Sequence, residues 1–329
     1  MEKIRVGFIG VGGIAGTHLE NVNKNEHASI VAVCDIDPNR ARQVGEQYGV
    51  HSYISVDDML HHESLDALFV CVPPFAHGDM EEKAAKRRIH LMVEKPLGLD
   101  LSNVRNKEKA IVDSGIICAT GYCLRYLDTV AKAKEFLRGK QIAMIRAHYV
   151  TKFVQTPWYR KMALSGGQLV EQSTHTVDLI RYLAGDFRTV YTNTALQVMS
   201  DIPDIDIPDV TSVNFTMESG TIGNLSSTFT QADHHTGIEI MGRDFRVVLD
   251  GTSLHLFENG NKVSFESKID FYKEQDHAFI EAIRLNKKEL ILSPYSDAVK
   301  TLAVTLAANH SANTGQPKQL EDFLLAAGK

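Results

Sequence analysis

The sequence feature that most constrains the fold is a glycine-rich turn between an apolar run and a helical pattern. The run Ile4–Ile9 is followed directly by Gly10-Val11-Gly12-Gly13-Ile14-Ala15. At this G-x-G-x-x-A spacing, glycines allow a tight turn and let backbone N–H groups approach a pyrophosphate at the helix N-terminus. Because glycine-rich turns are common, the motif predicts a nucleotide site only together with residues further along the chain.

Residues 1–121 alternate between strand and helix patterns. Further apolar runs at Ile30–Cys34, Leu65–Val72, Ile89–Val93 and Ile116–Thr120 are separated by helical patterns. The run Leu65–Val72 is almost wholly apolar, which is typical of a strand buried on both faces. These repeated units predict an α/β Rossmann domain with a doubly wound parallel sheet and right-handed crossovers.

Residues 122–329 show a different pattern and are assigned to a second α/β domain, since 329 residues exceed the size at which one core usually keeps growing. A helix over Thr129–Arg138 precedes strands with partly alternating apolar residues, and helices end the chain. The strands are predicted at 143–150, 190–196, 212–217, 221–230, 237–241 and 245–249, and the last helices at 274–285 and 296–314. This succession predicts a largely antiparallel sheet with one face covered by helices.

Composition and charge restrict the partners and the compartment. The net charge of −6 gives no electrostatic reason to expect a nucleic acid partner, and no apolar run is long enough to predict a membrane span. The four cysteines lack C-x-x-C spacing and the N-terminus enters a strand directly, which favours the cytoplasm. No metal site is expected, because His61-His62 and His234-His235 lack a zinc spacing and the acidic segment 201–209, predicted as a surface loop, lacks the glycine of a calcium loop.

Asp35 ends the second predicted strand about 20 residues after the turn, where a carboxylate binds the ribose hydroxyls of a dinucleotide. Its charge would repel the 2′-phosphate of NADP, so the sequence predicts NAD as the cofactor. The alternative role for Asp35 is to cap the helix that follows. Arg40, in that helix, is a further candidate cofactor-binding residue, and a dominant Arg40 would favour NADP instead.

Two further strand ends carry segments that would face the same crevice, since ligands of open α/β sheets bind beyond the carboxyl ends of the strands. The candidate cofactor-binding residues in these segments are Val72, Pro73, Pro74, His77, Glu94 and Lys95. A lysine at this place can hold its ammonium near a reacting carbon–oxygen bond. The alternative for Lys95 is an ordinary surface lysine.

A third group of residues lies in the segment 166–178. If this segment is helical, Glu171 and His175 lie one turn apart on the same face. An imidazole of near-neutral pKa can remove a hydroxyl proton, and a carboxylate one turn away can orient the ring or stabilise its charge. The same spacing fits half a metal site or a polar helix face, and it does not choose among the three.

The motifs Gly10-x-Gly12-x-x-Ala15, Pro73-Pro74-x-x-His77, Glu94-Lys95-Pro96 and Glu171-x-x-x-His175-x-x-Asp178 together resemble the Gfo/Idh/MocA family of glucose–fructose oxidoreductase and inositol dehydrogenase. The resemblance covers nearly the whole chain. It implies a Rossmann domain followed by an α/β domain with a large, open, mostly antiparallel sheet, through which members usually form homodimers or homotetramers. It also implies hydride transfer between NAD and a secondary alcohol or hemiacetal carbon of a sugar, polyol or related compound.

Carried over by position, the resemblance implies that Lys95 contacts the substrate oxygen and the nicotinamide, and that His175 exchanges the hydroxyl proton. Glu171 stands where the family commonly has Asp, and Ser173 where it often has Gly. Because of these two departures, the resemblance does not determine which groups form hydrogen bonds with His175. Arg125 resembles an arginine beside the cofactor. The other candidate substrate residues are Tyr122, Trp158, Tyr159 and Gln172, and simple packing is an equal alternative for Trp158 and Tyr159. Asp178 is expected to be a structural hydrogen-bonding residue with Arg181.

Two other functions fit the same scaffold. An enzyme can retain NAD and oxidise its substrate only transiently, with net hydrolysis or elimination, and no residue in the sequence separates this case from simple oxidation. A non-catalytic NAD-binding regulator is the second alternative, because fold does not fix function. The presence of both Lys95 and His175 argues against it.

Overall fold

The structure is a computed structural model that describes residues 2–326, and its contacts divide this part of the chain into two compact units. The first unit comprises the described residues up to Gly98 together with Asn103–Tyr126 and Asp270–Ala298. The second comprises Leu99–Ser102, Leu127–Ile269 and the described residues from Val299 onward.

Strands and helices alternate early in the chain, and strands dominate its middle. The strands are β1 (Ile4–Ile9), β2 (Ala28–Cys34), β3 (His51–Tyr53), β4 (Ala67–Val70), β5 (His90–Val93), β6 (Cys118–Thr120), β7 (Ile142–Val150), β8 (Phe187–Ala195), β9 (Val210–Met217), β10 (Ile222–Thr228), β11 (His235–Gly242), β12 (Phe245–Asp250), β13 (Ser253–Glu258), β14 (Asn261–Glu266) and β15 (Lys318–Gln319). The helices are α1 (Ala15–Asn23), α2 (Pro38–Tyr48), α3 (Val56–His62), α4 (Met80–Lys86), α5 (Leu101–Ser114), α6 (Asp128–Leu137), α7 (Met162–Ser165), α8 (Gly167–Glu171), α9 (Thr174–Ala184), α10 (Phe271–Leu285), α11 (Tyr295–Thr314) and α12 (Leu320–Ala326).

The first unit contains a six-stranded sheet in the order β3-β2-β1-β4-β5-β6. Every neighbouring pair in it is parallel. The strand order reverses between β1 and β4, and doubly wound sheets bind their ligands beyond the carboxyl ends of the strands at such a point. The predicted Rossmann topology is therefore confirmed.

The core of the first unit includes a segment from late in the chain. Phe8 of β1 stacks on Phe69 of β4 with 4.8 Å between ring centroids, and Phe279 of α10 meets Phe69 edge-on at 5.5 Å. All three rings are fully buried. The domain boundary predicted from the sequence places Asp270–Ala298 in the second domain, whereas the contacts of the folded chain place this segment in the first unit.

The second unit contains a nine-stranded sheet in the order β14-β13-β12-β11-β7-β10-β9-β8-β15. The pair β7–β10 is parallel and the other neighbouring pairs are antiparallel. Helix α9 packs on β7 and β11, and α6 packs on β12 and β13. The predicted large, mostly antiparallel sheet is confirmed.

Several short elements were not predicted from the sequence. Strand β3 and helix α3 occupy a segment too short and too polar to show a periodic pattern. Strand β14 lies at the edge of its sheet with most of its side chains exposed, so it lacks the apolar alternation that marks a half-buried strand. Within residues 2–326, no helix combines the length and the apolar character needed to cross a bilayer.

Candidate functional site

The glycine-rich turn joins β1 to α1 as predicted. Gly10 has a φ of +76°, and a Cβ at this residue would lie 2.9 Å from the carbonyl oxygen of Cys71, so that only glycine fits. At Gly13, with a φ of +36°, a Cβ would meet no atom within 4 Å. The turn therefore has open space beside it at the start of α1, which fits the pyrophosphate of a dinucleotide.

Asp35 is fixed beside this turn by backbone hydrogen bonds. Its carboxylate accepts from the N–H of Val11 and from the N–H of Asp37, both at 2.9 Å. The cap of α2 is Asp37, whose side chain accepts from two N–H groups of that helix, so the capping alternative for Asp35 is wrong. The half-exposed Arg40 also donates to this carboxylate, with its Nη1 at 3.2 Å from Oδ1 and 3.3 Å from Oδ2. Because a carboxylate accepts about four hydrogen bonds, ribose hydroxyls that bind to Asp35 would replace the contact with Arg40.

His77 belongs to a buried, hydrogen-bonded chain with Glu81 and Lys107 that was not predicted from the sequence. Its Nδ1 lies 2.7 Å from Glu81 Oε1, and Glu81 Oε2 accepts from the Lys107 ammonium at 2.9 Å. Burial alone would raise the pKa of Glu81, but the hydrogen bond to His77 and the charges of His77 and Lys107 hold it below its ordinary value. The spacing of His77 and Glu81, one turn apart, was the available signal for their contact.

The other ring nitrogen of His77 is buried, and no residue in the range 2–326 bonds to it. Buried polar atoms are nearly always hydrogen-bonded, so this nitrogen is suited to a bound group or a water molecule. His77 follows the 3-10 turn Pro74–Ala76 at the carboxyl end of β4, where a dinucleotide is expected to bind. This nitrogen, the glycine-rich turn and Asp35 together make the first unit suited to bind NAD.

Lys95 lies at the carboxyl end of β5, directly after the buried Glu94, and is joined to Pro96 by a cis peptide bond. The backbone N–H of Lys95 donates to Glu94 Oε2 at 3.1 Å. The Lys95 side chain is partly buried. The end of β5 thus presents the lysine at the sheet edge where ligands of this fold bind.

Tyr122 and Arg125 are buried in the first unit. The guanidinium of Arg125 donates to the carbonyl of Leu292 at 2.7 Å and to the carboxylate of Asp297 at 2.6 Å. These bonds fix the turn Cys123–Tyr126 to Leu292, which precedes α11, and to Asp297 in the first turn of that helix. In this unit Arg125 therefore has a structural role whether or not it also contacts a cofactor.

The segment that carries Glu171 and His175 is not one continuous helix. Glu171 ends α8, whereas His175 is the second residue of α9. At the break, the N–H of Ser173 bonds to the carbonyl of Gln168 at 2.9 Å, and its hydroxyl donates to Ser227 of β10 at 2.9 Å. The condition of one continuous helix through Glu171 and His175 is therefore not met, and the buried hydrogen bonds of Ser173 lie at the point where the helix is interrupted.

Asp178 has the structural role expected of it. The hydroxyl of Thr301 donates to Asp178 at 3.0 Å and accepts from Arg181 at 2.8 Å. Arg181 also pairs with Asp186 at 2.6 Å. This network ties α9 to α11 within the second unit, so His175 stands at the start of a helix with fixed position.

Tyr159 is fully buried and packs against Phe153, Phe229 and Ile207. Burial raises the pKa of its hydroxyl well above the ordinary value, so the group remains a donor. It donates to Gln172 Oε1 at 2.7 Å. Tyr159 thus orients the side chain of Gln172. Its full burial also agrees with the alternative role of simple packing. Trp158 is partly buried beside it, with its ring centroid 6.3 Å from that of Tyr159.

The four cysteines are in free form. Within residues 2–326, no group of three or more His, Cys, Asp or Glu side chains could hold a metal ion. In the segment 201–209, the carboxylate of Asp209 accepts from the N–H groups of Gln197, Val198 and Met199. Asp209 therefore stabilises its own loop.

Comparison with known proteins identifies the family. The Gfo/Idh/MocA oxidoreductase family, with an NAD-binding Rossmann fold, matches residues 4–122, and the C-terminal domain of the same family matches residues 131–248. The scyllo-inositol 2-dehydrogenase (NAD(+)) of Bacillus subtilis is 27% identical over 97% of each chain. The myo-inositol 2-dehydrogenase of Thermotoga maritima is 24% identical over 98% of this chain and 100% of the relative. The WlbA dehydrogenase of Bordetella pertussis, solved with NADH and UDP-GlcNAcA, has a TM-score of 0.84 at 22% identity, over 97% of this chain and 99% of that one. The chain therefore belongs to the Gfo/Idh/MocA family and is an NAD-binding oxidoreductase.

Proposed function

We propose that this protein oxidises a secondary alcohol or hemiacetal carbon of a sugar, a polyol such as an inositol, or a related compound. The observation that carries the proposal is that Lys95 and His175 both stand at the family's motif positions. The full-length similarity to two inositol 2-dehydrogenases supports a polyol-like substrate.

In this proposal His175 accepts the proton of the substrate hydroxyl. The ammonium of Lys95 stabilises the negative charge that develops on the oxygen, which is the kind of fixed charge that lowers such barriers most. The turn Gly10–Ala15, Asp35 and the ends of β4 and β5 would hold NAD, which when bound would accept the hydride at C4 of its nicotinamide ring. Gln172, oriented by Tyr159, and Trp158 are proposed to contact the substrate. We propose that Glu171 tunes the charge of His175.

A substrate panel tests the proposal. The purified protein is incubated with NAD and with inositols, aldoses and sugar acids in turn, and NADH and the organic product are measured together. We expect NADH to form in equal amount to an oxidised product. Product without NADH accumulation would favour transient oxidation by a retained cofactor, and NAD binding without turnover of any compound would favour a regulator.

Cofactor choice is expected to depend on Asp35. Since a hydrogen bond to a charged group contributes about 1.5–3 kcal/mol, Asp35→Ser should raise the Kd for NAD by about 10–100-fold. The Kd for NADP should fall, because the repulsion toward the 2′-phosphate disappears and Arg40, now 3.2 Å from Asp35, is released. Calorimetric titration with both cofactors measures the two constants.

Asp37→Ser is the matched control, because it removes a neighbouring carboxylate that caps α2. This variant should keep the preference for NAD. A wild-type preference for NADP would contradict the role given to Asp35 and would favour Arg40 as the deciding residue.

We also propose that the protein forms a homodimer or a homotetramer through the sheet of the second unit. Met144 and Ile222 are paired across β7 and β10, and both are exposed. Tyr191 of β8 is also exposed and lines the same groove with them. A second copy covering these side chains would remove their apolar surface from water.

A further inference from the structure

A histidine is buried between two carboxylates in the first unit. His18 of α1, Asp276 of α10 and Glu94 at the end of β5 are all almost fully buried. His18 Nδ1 lies 2.8 and 2.9 Å from the two oxygens of Asp276, and its Nε2 lies 3.0 Å from Glu94 Oε1. No role in the site was predicted from the sequence for His18 or for Asp276.

This geometry determines the charge of the ring. An ionised carboxylate only accepts hydrogen bonds, and a neutral imidazole can donate from only one of its nitrogens. Two carboxylate partners therefore require the imidazolium. Burial by itself would lower the pKa of His18, but the charge of Asp276 and the hydrogen bonds to Asp276 and Glu94 raise it to about 10.

The second oxygen of Glu94 reaches the residue proposed to act on the substrate. Glu94 Oε2 accepts from the backbone N–H of Lys95 at 3.1 Å. The carboxylate also lies against Gly121, where a Cβ would come within 2.3 Å of Glu94 Oε1. Its position is thus set by His18 on one side, by the backbone of Gly121, and by the Lys95 N–H.

Lys95, whose charge opposes the rise of the Cys123 pKa, is a second cation near the cluster, and the other described neighbours named below are neutral. Asn21 donates to Asp276 Oδ2 at 2.8 Å and is neutral. The rings of Phe69 and Tyr272 lie 5.4 and 6.2 Å from the His18 ring. Burial, followed by the charge of Glu94, raises the pKa of the Cys71 and Cys123 thiols, so both are neutral at physiological pH.

We propose that His18 is a positioning residue for Lys95: as an imidazolium held by Asp276, it keeps the Glu94 carboxylate ionised and in place, and this carboxylate fixes the Lys95 peptide. The inference rests on the proposed function only for the role of Lys95. It assigns Asp276 a positioning role as well, since Asp276 holds the ring from α10. Removing the imidazolium would leave a buried carboxylate without its cation, which favours its protonation or displacement.

The first test measures the proton itself. In ¹³C-labelled histidine spectra of the full-length protein, one ring should remain doubly protonated well above neutral pH and should lose its proton near pH 10. Because this value is raised from 6.5, the stability contributed by the proton is complete below pH 6.5 and is lost as the pH rises through about 10. Asp276→Asn should lower the pH at which this ring loses its proton. A spectrum in which every histidine ring is neutral by pH 8 would overturn the proposal.

The second test separates positioning from general stability. Since a misplacement of about 1 Å at a reacting group can cost about 10²-fold in rate, we expect His18→Gln to lower kcat by about 10–100-fold with little change in the Kd for NAD. In a Lys95→Ala background, His18→Gln should have almost no further effect on kcat, because it acts through Lys95. An equal loss in both backgrounds would show that His18 is merely structural.

His27→Gln is the matched control. His27 lies 3.7 Å from Glu26 and 3.9 Å from Glu281, so the same substitution again removes a histidine near two carboxylates, but at a partly exposed place. It should leave kcat and the Kd for NAD unchanged. If Lys95→Ala itself keeps the wild-type rate, the proposed function fails, whereas full activity of His18→Gln beside an impaired Lys95→Ala overturns only the role of His18. Should His18→Gln not fold, Asp276→Asn takes its place in both backgrounds.

Discussion

His175→Ala is expected to lower kcat for alcohol oxidation by about 10²–10⁴-fold, the usual contribution of a positioned general base. The Kd for NAD should stay near the wild-type value, because the residues assigned to the cofactor are Asp35, His77 and the glycine-rich turn. Stopped-flow kinetics on the substrate found in the panel, together with calorimetry for NAD, gives both quantities. His310→Ala, an exposed histidine of α11, is the control and should turn over at the wild-type rate.

The pH profile tests the same role in the wild-type protein. Only the neutral imidazole can accept a proton, so the rate of oxidation should rise with pH as His175 loses its own proton, and His175→Ala should remove this rise. Glu171→Gln should have a milder effect on kcat and should move the profile if the carboxylate tunes the ring. A His175→Ala enzyme with the wild-type rate on the true substrate would contradict the mechanism.

Lys95→Ala is expected to lower kcat by about 10²–10³-fold, which is the usual effect of removing one donor to a developing oxyanion. The loss should appear in kcat with NAD still bound, since the ammonium acts on the charge that develops on the substrate oxygen. Lys95→Arg keeps the charge but changes the donor geometry, so it should recover only part of the rate.

Lys86→Ala is the control for this prediction. Lys86 is an exposed lysine of α4, and its replacement should leave kcat and the Kd for NAD at wild-type values. If Lys95→Ala raised only the KM and kept kcat, Lys95 would bind the substrate without stabilising the reacting oxygen.

The first sheet was predictable because its signals are local. Short apolar runs alternate with helical periods in chain order, and parallel strands need such crossovers. The turn at Gly10 was visible because a positive φ beside the Cys71 carbonyl admits only glycine. The family motifs then implied the roles that are proposed for Lys95 and His175, which spacing alone did not determine.

The segment with Glu171 and His175 shows where local periodicity fails. Residues 166–178 have a helical spacing, but Ser173 is fully buried and bonds to Ser227 of β10, and the helix breaks at this point. The hydrogen bond joins residues 54 positions apart. The periodic pattern of a short segment carries no information about a hydrogen-bond partner so far away in the sequence.

The sequence by itself determined that the strands of the first sheet are parallel and that those of the second are mostly antiparallel. It also determined the glycine-rich turn that is suited to the cofactor. Each of these features depends on residues close together in the chain. Only the tertiary structure brought α10 into the first unit and set His18 against Asp276, which are 258 residues apart. It also decided that Tyr159 orients Gln172 and that Arg125 pairs with Asp297. The physical reason is that a buried polar or charged group must find its partner among whatever elements pack around it, and that packing is a property of the folded chain.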